Sequence, residues 1–352
     1  MVLGFGAAGK KIILETKKNS VMIIGTKFNE RLVKYKGMKK SILFLRNFKL
    51  MTVAAVVAIA FSRCDDNSNA QHFSDSPTQG TIHISVDESF KPIIDSQIQV
   101  FESQYPEAKI VAEYKPEADC IKDLQLDSTR LIIITREPND NEVNYVKNKI
   151  GVQLNWVKVA YDAMTIVVNK KAKDSLFSVD DLKSLLAGTS SKPYKVVMDG
   201  LTATSNVRFA KDSILHGAPF GKNVQAATNS QGVIDYVAAN PDAIGIVGVS
   251  WVGVNDAEQT HFSDKVTVAR LRCDSCPNMP YRLPLQGYMA EGQYKLIRGL
   301  YVILKENGLG LGSGFNGFLK SPQTGQLIFK RAYLLPAMLS YEIRPMEVDE
   351  SK

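Results

Sequence analysis

Histidine and cysteine are sparse in this chain, at four residues each among 352. His83, His216 and His261 stand singly, and a tetrahedral zinc site needs four donors at suitable spacing, so no metal is expected. HExxH, GxSxG and Walker patterns are missing. Catalysis needs a nucleophile with a placed base, and none is legible, so an enzyme is not expected and no cofactor is implied. The one CxxC, Cys273-Asp-Ser-Cys276, runs into PNMPYRLP, which cannot continue the helix that a redox CxxC normally opens. A local disulfide or two free thiols in a loop remain.

Positive charge is also missing from most of the chain, despite a formal net of +7. Residues 1–63 carry 13 Lys/Arg against only Glu15 and Glu30, which leaves 30 Lys/Arg against 34 Asp/Glu in the remainder. The basicity belongs to the leader, and a nucleic-acid partner is not expected. Hydrophobic content of 45% and charged content of 22% are ordinary for a globular protein, and the length allows two cores.

The leader has the make-up of a targeting segment. From Met38 a basic region precedes an apolar stretch, Met51 to Phe61, that is short for a membrane span of about 20 residues. Cys64 follows, then the polar run DDNSNAQHFSDSPTQG, of linker composition. This resembles a bacterial lipoprotein signal with Cys64 as the lipidated residue, although Arg63 stands where a small residue is usual. An uncleaved anchor or an ordinary signal peptide remains the alternative. Residues 1–37 are expected to be an over-extended start.

The rest alternates. GTIHISVD reads as a strand, KPIIDSQIQVFESQ as a helix stopped at Pro106, KIVAEYK as a strand, PEAD as a loop, CIKDLQL as a short helix and TRLIII as a strand buried on both faces. That βαβαβ order implies a parallel sheet covered by helices. NWVKVAYDAMTIVV is long enough to pass from one domain to another. SVDDLKSLLAG has a capping box, Ser178 to Asp181, and a glycine stop at Gly188. KVVM is a strand, DGLTATSNVRF a loop opening a helix, and NSQGVIDYVAANPDAIGIVG a helix, a proline break and a strand. Helices are expected around YKLIRGLYVILKEN and SPQTGQLIFKRAYLLPA. GLGLGSGF at 308–315 is read as a flexible or close-packed turn after a helix, not a nucleotide loop. Trp156 and Trp251 are read as core or hinge packing.

The fold class is therefore α/β, two-lobed, with a hinge and an interlobe cleft. The leader takes 1–63 and the linker 64–79; lobe 1 takes 80–158 and 268–345, and lobe 2 takes 159–267. Connections near 156–164 and 264–284 make the hinge, and ligands in such sheets bind beyond the carboxyl ends of the strands.

From about Gly80 to Ala337 the chain resembles the substrate-binding proteins of phosphate ABC transporters, in the type II periplasmic-binding-protein fold. DESFKP (87–92), FSVDDLKSLLAG (177–188), NSQGVIDYVAANPDAIGIVG (229–248) and SPQTGQLIFKRAYLLP (321–336) carry the likeness, in the family's order. The resemblance implies a periplasmic, lipid-anchored, monomeric protein that captures inorganic phosphate and passes it to ABC permease subunits. It implies that the Ser89 hydroxyl and the Phe90 N–H meet the anion, with Thr204, Ser205 and Asn206 at the helix start opposite.

The family's phosphate loop usually reads Arg-Ser-Asp-Gly-Ser-Gly-Thr, whereas this chain has Asp199-Gly200-Leu201-Thr202-Ala203-Thr204-Ser205. Its arginine position carries Asp199 and its aspartate position Leu201. Pro116-Glu117-Ala118-Asp119 replaces a Ser-Gly-Gly loop, and Thr135-Arg136 replaces the aspartate after the third strand. Arg136 or Arg208 would then supply the cation, and Asp119 or Glu117 would accept a hydrogen bond from a protonated phosphate. Each residue also has a reading without a ligand: Ser89, Thr204 and Ser205 as caps, Arg136 in a surface ion pair, Arg208, Glu117 and Asp119 solvated. Another oxyanion, a small organic acid, or a sensor or surface interaction protein without transport are the rival functions.

Overall fold

The structure is a computed structural model that describes residues 75–255 and 260–339. Cys64 and the leader lie outside the described residues.

The first third builds three parallel strands. β1 (Gly80–Asp87) buries Ile82, Ile84 and Val86 on alternate positions and pairs with β2 (Ala108–Lys115). Between them runs α1 (Lys91–Gln104), with a proline in its first turn and Ile93, Ile94 and Phe101 buried. α2 (Glu117–Asp123) leads to β3 (Thr129–Ile134), which pairs with the other side of β1. In β3, Leu131 and Ile133 enter one apolar cluster and Ile132 and Ile134 another. A continuous apolar run is what a strand covered on both faces requires. α2 begins inside PEAD, so Glu117 and Asp119 sit in its first turn rather than in a loop.

α3 (Asp140–Tyr145) precedes β4 (Asn155–Val168), the longest strand, whose first part pairs with one neighbour and whose last part pairs with another. After β5 (Leu176–Phe177) comes α4 (Val179–Ala187), with the Ser178–Asp181 capping box formed and Gly188 at φ 72 as its stop. β6 (Lys195–Met198), α5 (Ser205–Phe209, continued by a π-turn to Ile214), β7 (Val224–Ala226), α6 (Ser230–Ala239) and β8 (Ala243–Gly248) form a second parallel set. β9 (Gly253–Asn255) and β10 (Thr260–Phe262) pair with each other. β11 (Thr267–Val268) returns to β4, and β12 (Arg270–Arg272) joins β5 and β13 (Tyr281–Arg282). Cys273 and Cys276 form a disulfide beside them.

α7 (Gln286–Ala290) is followed by β14 (Ile297–Leu304), where a helix was expected. Arg298, Leu300, Val302, Ile303 and Leu304 are all buried because β14 is inserted antiparallel between β3 and β4. Only Val302 to Leu304 are buried on both faces, but apolar residues stand on either parity of the segment (Ile297, Tyr301 and Ile303; Leu300, Val302 and Leu304). The polar–apolar alternation that marks a strand in sequence is therefore lost, and the pairing partners decide.

GLGLGSGF accordingly follows a strand, and most of it is the start of α8 (Leu311–Lys320) rather than a turn. Its close packing is real: a Cβ on Gly314 would meet the Pro77 carbonyl oxygen at 1.8 Å. Glu306 accepts the Gly312 and Ser313 N–H groups at 3.1 and 2.8 Å, filling that helix start with a carboxylate. α9 (Gly325–Arg331) and β15 (Leu335–Pro336), which pairs with β4, close the described chain. The main path of the ten-stranded sheet is β2-β1-β3-β14-β4-β8-β6-β7.

Candidate functional site

The two parallel sets end toward one another. Asp87–Phe90 follows β1, Glu117 follows β2, Thr135 follows β3, Asp199 follows β6, Ser230 follows β7 and Trp251 follows β8. Carboxyl ends of parallel strands leave unpaired backbone and loop side chains, which is where crevices form.

On the first side, Asp87 Oδ1 accepts the Ser89 N–H at 3.0 Å and holds a tight turn ahead of α1. That turn aims the Ser89 hydroxyl across the crevice, 3.2 Å from Ser205 Oγ. Trp251 Nε1 donates to the Ser89 carbonyl at 2.9 Å, so this tryptophan joins the two sides. Trp156, by contrast, is 40% exposed on β4 and is not core.

On the second side, the loop after β6 is held by its own aspartate. Asp199 accepts Thr204 Oγ1 and Asn206 Nδ2, both at 2.8 Å, while Thr204 Oγ1 also accepts the Val207 N–H at 3.3 Å as the cap of α5. A carboxylate thus organises the loop where the resemblance anticipates a cation.

A guanidinium reaches this loop from β14. Arg298 donates through Nη1 to Ser205 Oγ and through Nε to Asp162 Oδ2, each at 2.9 Å, and its guanidinium lies 5.1 Å from the Phe90 ring centroid. Asp162 is its cross-strand neighbour on β4 and also accepts the Val249 N–H at 3.2 Å. A Cβ on Gly248 would stand 3.1 Å from Asp162 Oδ2, so glycine lets the strand end approach this pair. Sequence reasoning missed both residues. The available signal was a single charge inside each apolar strand, VAYDAMTIVV and IRGLYVIL, since a buried charge demands a partner.

Of the remaining predicted residues, Arg208 reaches the first side, donating to Glu117 Oε2 at 2.7 Å and to Thr135 Oγ1 at 2.6 Å. Arg136 forks onto Glu142 at 2.9 and 2.6 Å and is not brought to the Ser89–Ser205 contact. Asp119 is only partly buried and pairs with Lys122 at 2.7 Å. Ser89, Phe90, Thr204, Ser205 and Asn206 are all buried and grouped around Arg298 and Asp199.

The electrostatics are acid-rich. Burial pushes Asp87 up to about 7, against the nearby Arg298 charge. Burial likewise raises Asp162, Asp199 and Glu88. Burial alone would also raise Glu117, but the Arg208 bond and charge together with Thr135 carry it below the usual range. Asp87 Oδ2 and Asn206 Oδ1 are buried with no hydrogen-bond partner among the described residues, while Arg298 Nη2 stands 2.9 Å from Asp162 Oδ2 in an ion pair. No group of three or more metal-ligating side chains occurs among them, and no helix among them is long and apolar enough to cross a membrane.

Strands ending on a shared crevice, a central strand serving both halves and a polar cluster between them define a two-sided α/β binding domain. Residues 72–322 match the family described as a PBP superfamily domain, and the chain belongs to it. No curated protein matches the chain significantly. Two solved structures share the fold. One is a substrate-binding protein from Clostridium perfringens, assigned to phosphate ABC transport and solved with bound phosphate: 19% identical, covering 73% of this chain and 100% of that one, TM-score 0.60. The other is an ABC-type phosphate transport receptor from Vibrio cholerae: 15% identical, covering 72% and 99%, TM-score 0.53. At these identities the likeness is one of fold.

Proposed function

We propose that this chain is the extracytoplasmic solute-binding component of an ABC importer, lipid-anchored through Cys64, that captures a small oxyanion, inorganic phosphate first, between two lobes. The lobes are 80–158 with 268–345, and 159–267, with β4 and the return near 264–284 as the hinge. No catalytic step is part of this reading.

One observation carries it: Ser89 from one side, Ser205 from the other and the Arg298 guanidinium meet within 3.2 Å of a common point of contact. Two hydroxyls and a planar cation are the donor set an oxyanion requires, and charge-assisted bonds of this kind are the strong ones. Arg298 takes the place of the arginine that the loop after β6 lacks. Asp87, close to half-protonated near pH 7, accepts a hydrogen bond from a protonated oxyanion but repels a fully ionised one.

The test is calorimetric titration of the full-length chain, purified phosphate-free in mild detergent, with phosphate and then sulfate. Phosphate binding that Arg298→Lys and Ser205→Ala each weaken supports the reading; no heat from either anion rejects it. The carboxylates around the crevice favour a second reading, in which the solute is a different small anion or the domain acts as a sensor.

A further inference from the structure

Beside the Ser89–Ser205–Arg298 contact lies a cavity of about 210 Å³, lined by Asp87, Glu88, Tyr114, Lys115, Asp199 and Thr204 among others. At roughly 30 Å³ per water it has room for about seven waters, enough for a substituent beyond an anionic group. Its charge is one-sided. Lys115 is engaged with Asp123 and Glu113 at 2.7 and 2.8 Å, Lys91 with Asp95 at 2.8 Å, Arg208 with Glu117 and Arg298 with Asp162. Asp87, Glu88 and Asp199 therefore line the cavity with no ion pair to any of these four, although the Arg298 charge acts on Asp87 and Asp199 and that of Lys91 on Glu88.

Inward-facing carboxylates alone would be an ordinary acidic patch. Here Asp87 is 1% exposed, and its Oδ2 has no hydrogen-bond partner among the described residues. Glu88 accepts only from Ser230 (N–H at 3.3 Å, Oγ at 2.8 Å), and Asp199 from Thr204 and Asn206. An ionised carboxylate has about four acceptor sites, so each keeps capacity for a further donor. Burial raises all three carboxyl groups, the condition that a neighbouring positive charge relieves.

Resting on the oxyanion reading above, we infer that the solute is a zwitterion: an oxyanion carrying a protonated amine, the anionic end at Ser89, Ser205 and Arg298 and the ammonium among Asp87, Glu88 and Asp199. An ammonium supplies three donors and one positive charge, matching three acid acceptors where a bare phosphate would add negative charge to them. The anionic group could be a phosphonate, a phosphate ester or a carboxylate, since all three fit the same donors.

The experiment titrates the full-length chain at pH 7.5 with 2-aminoethylphosphonate, ethylphosphonate, inorganic phosphate, β-alanine and propionate. The expected result is that aminoethylphosphonate binds at least about tenfold tighter than ethylphosphonate and phosphate, and that Glu88→Gln cuts this preference to about threefold. A β-alanine preference over propionate of the same size supports the zwitterion with a carboxylate as its anionic end. Ethylphosphonate or phosphate binding as tightly as the aminated ligand overturns the inference while the oxyanion reading stands. Failure of all five to bind overturns both. The wild-type comparison decides even if Glu88→Gln misfolds.

Discussion

Arg208 Nε on α5 donates to Glu117 Oε2 on α2 at 2.7 Å, joining residues 91 positions apart across the crevice. Glu117 is buried and also accepts the Thr135 N–H at 2.9 Å, while Ala118 N–H donates to the Ala203 carbonyl beside it at 3.1 Å. The bond therefore works as a latch between the two sides. Removing Arg208 strands a buried carboxylate. Because its side chain is 36% exposed, the loss expected for Arg208→Ala is roughly 2–3 kcal/mol, below that of a fully buried pair. Urea melts of Arg208→Ala, Glu117→Gln and the double variant should give a coupling energy near or above 1 kcal/mol. Additive effects would remove the latch.

Asp162 competes with any anion for Arg298. Asp162→Asn should weaken the hold on Arg298 and tighten phosphate binding several-fold, while lowering stability by about 3 kcal/mol because a buried guanidinium loses its counter-ion. Paired calorimetry and urea melts separate the two effects. Unchanged or weaker phosphate binding would mean that Arg298 does not face the solute.

Asp87 makes stability fall as pH rises. Its carboxyl titrates near 3.8 when unfolded and is raised to about 7 in the fold, so between these values the native state keeps a proton that the unfolded chain has lost. The stabilising contribution is complete below about pH 4, declines up to about pH 7 and is flat above. Asp87→Asn should therefore flatten this slope, with a gain on the order of a few kcal/mol at pH 8 that vanishes at pH 4. Melts at matched ionic strength across pH 4–8 read it directly; parallel curves for the two proteins would contradict it.

Gly188 ends α4 at φ 72, and a Cβ there would meet the Gly221 Cα at 2.9 Å. Gly188→Ala pays both for the left-handed backbone and for the contact, about 1–3 kcal/mol in all. Gly217→Ala, at φ 88 but with nothing within 4 Å, should lose only the backbone part. The difference between the two thermal midpoints measures the contact.

Much of the fold can be read residue by residue. The alternation in β1, the capping box and glycine stop of α4, and the Asn-Pro break between α6 and β8 are local signals, because a few adjacent residues satisfy them. The site is less legible. Ser89 and Ser205 follow from their loops, and Thr204 from its capping position. Arg136 and Asp119 are plausible in sequence but turn to Glu142 and Lys122, which lie within six residues of them. Arg298 and Asp162 become a pair only through strand register, 136 positions apart.

The sequence by itself determined the alternating α/β order, the helix stops, the acidic body behind a basic leader and the hydroxyl-bearing loops at strand ends. These depend on side chains near one another along the chain. Only the tertiary structure decided that Ile297–Leu304 is a strand, that Arg298 is brought to Ser205, and that Asp199 organises its own loop. A segment with apolar residues on both faces carries no strand period of its own, and a buried charge is stable only beside whichever partner the sheet brings to it.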